Sequence, residues 1–231
     1  MLDTLASVLS PPHRAGLPFI AAAAVAALVL GFFSSTLMWL GIAAALFCAY
    51  FFRDPARVTP ARAGLVVAPA DGRVVSVAEA VPPAELGLGP EPRWRVAIFL
   101  SVLDVHVNRS PVDGTVSRIA YHPGKFLNAA DDKASDENER NGLALAMADG
   151  RTVGVVQIAG LIARRIVCEV KEGQALAAGQ RFGLIRFGSR TDVYLPPGVV
   201  PLVAEGQRMV GGETVVADLL SSEPPRPGVV R

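Results

Sequence analysis

His106 stands in the run Phe99-Leu100-Ser101-Val102-Leu103-Asp104-Val105-His106-Val107-Asn108-Arg109-Ser110-Pro111. If this run is a strand, alternation puts Asp104, His106 and Asn108 on one face. An imidazole beside a carboxylate can serve as a general base near neutral pH; a core histidine satisfied by a neighbour is the plainer alternative. Further on, Gly188-Ser189 lies between two apolar runs. Glycine permits a strained backbone, and a hydroxyl just after it can attack the preceding carbonyl to form an ester. Asp71, before Gly72, reads first as a turn aspartate. The most polar stretch, residues 121–141, contains His122, Lys125 and Asn128. Its lack of periodicity marks a loop, solvated or closing over a site. The three histidines and two cysteines form no cluster with metal-ligand spacing, and no disulfide is expected between Cys48 and Cys168.

These residues need a scaffold. From residue 53 onward, short Val/Ile/Phe-rich runs are broken by Gly and Pro, the pattern of strands and turns. Strands are expected at 65–68, 73–78, 95–101, 105–108, 115–121, 143–147, 152–158, 166–169, 181–187 and 191–195. Residues 159–165 read as a short helix, and the Pro-rich segment 80–92 as a loop. Pro69-Ala70-Asp71-Gly72-Arg73-Val74 and Pro111-Val112-Asp113-Gly114-Thr115-Val116 share a turn-then-strand pattern. Glu172-Gly173-Gln174, Ala178-Gly179-Gln180 and Glu205-Gly206-Gln207 resemble the Gly turns of biotinyl/lipoyl-type barrels. The expected fold is mainly β, a barrel-like domain of that type with few short helices.

The charge balance is near neutral, 22 Lys+Arg against 21 Asp+Glu, which argues against a nucleic-acid partner. Hydrophobic residues make up 51% of the chain, and the excess lies at one end: residues 15–52 contain no Asp, Glu, Lys or Arg. As one helix this stretch would far exceed a hydrocarbon core of about 30 Å. Gly31-Phe32-Phe33-Ser34-Ser35-Thr36 is the natural break, giving a helical hairpin with spans near 15–32 and 37–52. Arg14 before it and Arg53, Arg57 and Arg62 after it place both ends on the cytoplasmic side. A cleaved signal peptide and an interfacial hairpin are the alternatives. The expected organisation is a membrane anchor over 1–52 and a soluble domain over 53–231.

Taken together, Phe52-Arg53-Asp54-Pro55, Pro69-Ala70-Asp71-Gly72, Phe99-Leu100-Ser101 with Asp104-Val105-His106, Pro123-Gly124-Lys125-Phe126-Leu127-Asn128-Ala129, and Phe187-Gly188-Ser189 resemble phosphatidylserine decarboxylase in its short bacterial and archaeal form. The resemblance implies a proenzyme that cuts itself between Gly188 and Ser189, leaving chains 1–188 and 189–231 associated as a heterodimer that can assemble further. It implies that Ser189 becomes a covalent pyruvoyl cofactor, with neither metal nor PLP, which forms a Schiff base with phosphatidylserine in the membrane. The products would be phosphatidylethanolamine and CO₂, made on the cytoplasmic side of the cell membrane. Asp71 and His106 match the family's catalytic positions, with Asp71 orienting the imidazole as in a Ser-His-Asp arrangement. Arg109, Lys125 and Asn128 are the residues expected to bind substrate.

Two departures bear on the chemistry. Longer members carry a second histidine where this chain has Arg109, so the base for self-cleavage is either His106 or His122. The family's L-G-S-T reads Phe187-Gly188-Ser189-Arg190 here. The competing reading is a non-enzymatic biotinyl/lipoyl-like barrel adaptor on a membrane hairpin; it accounts for the Gly turns, though not for Asp71, His106 and Gly188-Ser189 together. A barrel metallopeptidase lacks its ligands.

Overall fold

The computed structural model describes residues 10–124, 138–160, 165–186, 188–226 and 228–229. It divides into two compact units, Met1–Ala56 and Arg57–Arg231.

In the first unit a short 3₁₀ turn, Arg14–Gly16, leads into α1 (Leu17–Gly31), and α2 (Ser35–Phe51) follows after a brief break. His13 caps the entry, its Nδ1 accepting from the Ala15 N–H at 3.2 Å, and Pro18 occupies the first turn, where a missing N–H costs nothing. Ser34 is extended, which separates the two helices at the expected break. Arg14–Gly31 is an 18-residue helical stretch apolar and long enough to cross a membrane; α2 is apolar but shorter, at 17 residues. Both helices leave large apolar side chains exposed, among them Leu28, Phe32, Trp39, Leu40 and Leu46, which water does not favour. The ends of the hairpin are tied: His13 N–H donates to the Phe52 carbonyl at 2.6 Å, Phe19 stacks on Phe52, and Arg53 lies over the Tyr50 ring.

The second unit is mainly β. Its strands are β1 (Leu65–Val67), β2 (Gly72–Ala80), β3 (Arg93–Leu100), β4 (Val107–Arg109), β5 (Gly114–His122), β6 (Arg140–Ala146), β7 (Thr152–Ala159), β8 (Ile166–Cys168), β9 (Ala175–Leu176), β10 (Arg181–Ile185), β11 (Ser189–Tyr194), β12 (Arg208–Met209) and β13 (Val215–Asp218). An eight-stranded antiparallel sheet runs β12-β2-β3-β11-β7-β6-β5-β9, accompanied by the three-stranded β4-β10-β8 and the pair β1-β13. Register shifts in β2 between Val74 and Ser76 and in β5 between Val116 and Arg118 increase the local twist and curl the sheet.

Every strand expected between residues 65 and 195 is present within a few residues, and both turn-then-strand repeats end where β2 and β5 begin. Gly72 has φ +147, and a Cβ there would lie 2.1 Å from the Phe99 carbonyl oxygen, so only glycine fits at the head of β2. Three differences stand out. The strand expected at 105–108 is β4, which begins at Val107, and Asp104 lies in the turn before it. Ala159 ends β7 rather than starting a helix, and residues 161–164 of that expectation lie outside the described residues. Segment 80–92 is a packed cover, not a bare loop: its 3₁₀ turn Ala84–Leu86 buries Leu86, and with Leu88 this side chain packs on Ala144, Val156, Ile158 and Tyr194.

That cover decides the character of the central strand. One sheet face carries Val153, Val155, Leu143, Leu145 and Val193 into the main core with Phe182 and Val116. The other lies under Leu86 and Leu88. Each buried Val or Leu contributes about 1.5–3 kcal/mol, and β11, between the two clusters, has all six of its residues buried.

Candidate functional site

β11 begins with Ser189. By alternation Ser189, Thr191 and Val193 face the main core, while Arg190, Asp192 and Tyr194 face the cover. Ser189 is fully buried, and its Oγ has no hydrogen-bond partner. Gly188 before it has φ +65, the left-handed region, and a Cβ there would meet nothing within 4 Å. The glycine is therefore required by the backbone and not by lack of room.

The turn that follows β3 brings the histidine to this point. Asp104 folds back on the turn: its Oδ2 accepts from Ser101 N–H at 2.8 Å and Ser101 Oγ at 2.7 Å, and its Oδ1 accepts from Arg208 at 2.6 Å. With the carboxylate so engaged, the Asp104 backbone carbonyl lies 2.9 Å from His106 Nδ1. A carbonyl can only accept, so Nδ1 carries the proton and Nε2 has a bare lone pair. That lone pair accepts from the Gly188 N–H at 3.3 Å. A buried imidazole in a defined tautomer therefore stands at the Gly188 N–H, beside the Gly188–Ser189 bond.

The Asp71 carboxylate is held by Arg57 at 2.7 and 3.0 Å and by the Gly211 N–H at 2.8 Å, while the His106 Nδ1 meets the Asp104 carbonyl. Burial pushes the Asp71 carboxyl above its ordinary range, Arg57 and the Gly211 N–H oppose this, and the nearby negative charge of Asp104 adds to the rise. Asp71 and Asp104 thus form one acidic patch flanked by Arg57 and Arg208, beside the turn that carries His106.

His122 does not come to the cleavage point. It is exposed at the end of β5, opposite Arg140, which is opposite Ile158, which is opposite Arg190. Three strand spacings of about 4.8 Å separate it from β11, on the face that Ser189 does not occupy. Arg109, expected to bind substrate, is buried and donates to the Gly179 carbonyl at 3.0 Å, which ties β4 to the turn before β10. Lys125, Asn128 and Phe187 lie outside the described residues.

Several polar residues at the site carry no motif. Gln157 and Asn141 are buried in β7 and β6 on the Ser189 face, and Asn138 donates to the carbonyl of Ala159, the residue opposite Ser189. On the other face Arg190 and Asp192 close a buried ion pair at 2.6 and 2.8 Å. The only signal for these in the sequence is a polar residue at an alternate position of a run otherwise apolar, as in Val155-Val156-Gln157-Ile158.

A mainly β domain with a buried serine at the head of its central strand and a base on the preceding glycine defines an enzyme centre rather than a binding module. Sequence comparison gives the class its content. A family model described as phosphatidylserine decarboxylase matches residues 44–217. Three relatives bear the name phosphatidylserine decarboxylase proenzyme. One from Granulibacter bethesdensis is 68% identical over 95% of this chain and 90% of its own length. One from Cereibacter sphaeroides is 58% identical over 100% and 99%, and one from Gluconobacter oxydans 60% identical over 95% and 99%. The chain belongs to the phosphatidylserine decarboxylase family. The adaptor reading has no comparable support.

Proposed function

We propose that the chain cuts itself between Gly188 and Ser189 and that the product decarboxylates phosphatidylserine to phosphatidylethanolamine and CO₂, using a pyruvoyl group made from Ser189. The observation that carries this reading is the buried, unpartnered Ser189 hydroxyl beside a left-handed Gly188 whose N–H is bonded to His106 Nε2.

The residues suit the conversion. Ser189 Oγ attacks the Gly188 carbonyl carbon and gives its proton to His106 Nε2; the C–N bond breaks, and the proton passes to the Ser189 nitrogen, leaving an ester. Proton loss from the Ser189 Cα expels the Gly188 carboxylate and leaves dehydroalanine. Addition of water with loss of ammonia then gives the pyruvoyl end. Once formed, that group supplies an electron sink for the pair left behind as CO₂ departs. His106 is the residue placed to move protons here. Asp104, bonded to Ser101 and Arg208, holds the turn that aims it, and Asp71, held by Arg57 and Gly211, acts beside it. Lys125 and Asn128 are proposed substrate contacts; Arg109 acts through the scaffold.

Residues 1–52 serve as a membrane anchor, with the domain from residue 53 on the cytoplasmic side of the cell membrane. The support is the apolar helix Arg14–Gly31 and the arginines flanking the hairpin. An anchored enzyme meets its lipid at the interface, avoiding a cost of about 0.8 kcal/mol for each CH₂ drawn into water.

Intact mass of freshly purified protein tests the reading. Two associated chains are expected, with 189–231 blocked at its N-terminus. A single unmodified chain from an active preparation would overturn it.

A further inference from the structure

A row of neutral polar side chains crosses the Ser189 face of the sheet, and self-cleavage has no use for it. Asn141 Nδ2 donates to Gln157 Oε1 at 3.0 Å, and Gln157 Nε2 donates to Asn108 Oδ1 at 2.8 Å. In this relay the Asn108 oxygen is taken, so Asn108 presents its NH₂ group, and Nδ2 is buried without a partner among the described residues. Thr191 lies directly opposite Gln157 in register, and its hydroxyl is also buried and unpartnered. Asn108, Gln157 and Thr191 are all fully buried. Leaving such groups unsatisfied destabilises a fold, so donors held in this way point to an acceptor that the folded precursor does not contain.

We propose that Asn108 Nδ2 and the Thr191 hydroxyl hold the carboxylate that the substrate loses, with Gln157 and Asn141 as positioning residues; this rests on the decarboxylase reading above. Thr191 is one side-chain step from Ser189 on the same face, about 7 Å along the strand, and Asn108 follows two residues after His106. The substrate reacts through its amine at residue 189. Its carboxylate is carried on the carbon next to that amine, whereas its phosphate lies farther out, so donors one step from Ser189 match the carboxylate. The donors are also neutral. A guanidinium would stabilise the carboxylate most before it breaks down and so oppose the loss of CO₂, whereas an amide and a hydroxyl orient it with less bias toward the ground state. Arg190 on the same strand is turned to the opposite face and committed to Asp192.

The test compares wild type with Asn108→Asp and Gln157→Glu. The first replaces the donor with an anion. The second can still accept from Asn141, but accepts from Asn108 Nδ2 as well, which turns the Asn108 oxygen toward the site. Cleavage is scored by intact mass. Each matured protein is then treated with cyanoborohydride and either phosphatidylserine or phosphatidylethanolamine in detergent micelles, and the adduct on chain 189–231 is measured. Phosphatidylethanolamine offers the same amine without the carboxylate. Both variants are expected to lose trapping of phosphatidylserine by about tenfold or more, while trapping phosphatidylethanolamine at the wild-type level. Equal loss for both lipids, or no loss for either, overturns the assignment. Failure of both variants to mature would place the row in processing and overturn it too. Wild type trapping neither lipid would instead refute the decarboxylase reading.

Discussion

On one face of β11, Arg190 and Asp192 are fully buried and close on each other at 2.6 and 2.8 Å; on the other, Ser189 and Thr191 are as deeply buried, and their hydroxyls meet nothing. Strand, depth and flanking strands are the same, so burial by itself does not mark the site. What separates the faces is satisfaction. The charges facing the cover have the partners that a buried ion pair needs to break even. The hydroxyls facing the core do not, and they stand beside a base and a left-handed glycine. One face is closed by its own ion pair, and the other keeps two hydroxyls without a bond.

Breaking the reactive face should have the largest effect. Ser189→Ala should abolish cleavage, leaving one chain of full mass on a denaturing gel with an unchanged far-UV spectrum, because only an unbonded hydroxyl is lost. His106→Ala should slow disappearance of the precursor by about 10²- to 10⁴-fold, the usual contribution of a general base. His122→Ala should mature at the wild-type rate, since it lies three strands away on the other face; a stalled His122→Ala beside a normal His106→Ala would reverse the assignment.

The structural face should respond in stability instead. Arg190→Met leaves the buried Asp192 carboxylate only the longer contact with Arg95 at 3.9 Å and should cost up to about 3–5 kcal/mol in urea unfolding, while Arg190→Met with Asp192→Leu should recover most of it. The precursor that still folds should still cut itself. The smallest effect concerns Tyr194, next on that face, whose phenol is pushed up to about 12 by burial and by the charge of Asp192. The folded state then keeps a proton that the unfolded chain releases near pH 10. Stability from this group is fully present below pH 10 and is lost as pH rises to about 12, by roughly 1.4 kcal/mol for each unit crossed. Tyr194→Phe should flatten that part of the curve, as measured by unfolding between pH 9 and 12.

The sequence carried the reactive face better than the structural one. Gly188-Ser189 and Asp104-x-His106 are legible because their chemistry depends on neighbours in the chain, and the strands around them follow from Gly and Pro punctuation. The contact at the imidazole Nδ1 has no mark in the sequence, because a backbone carbonyl has no letter, and neither do the bonds that hold the Asp71 oxygens to Arg57 and Gly211. Strand alternation also failed at Asp104, because Ser101 offers two donors that fold the carboxylate back into a turn. Gln157 and Asn141 became neighbours only through the pairing of β6 with β7, a long-range register that spacing along the chain does not encode.

β11 is paired along its whole length with β3 on one side and β7 on the other. A cut at its first residue would leave this strand wedged between two strands of the other fragment. Folding before the cut is the collapse of a single chain, independent of concentration. After it, the same architecture can be rebuilt only by two molecules meeting, so a denatured mature enzyme should renature poorly on dilution whereas its Ser189→Ala precursor returns. Maturation is in this sense a one-way passage, in which the protein keeps its shape while giving up the ability to find that shape again alone.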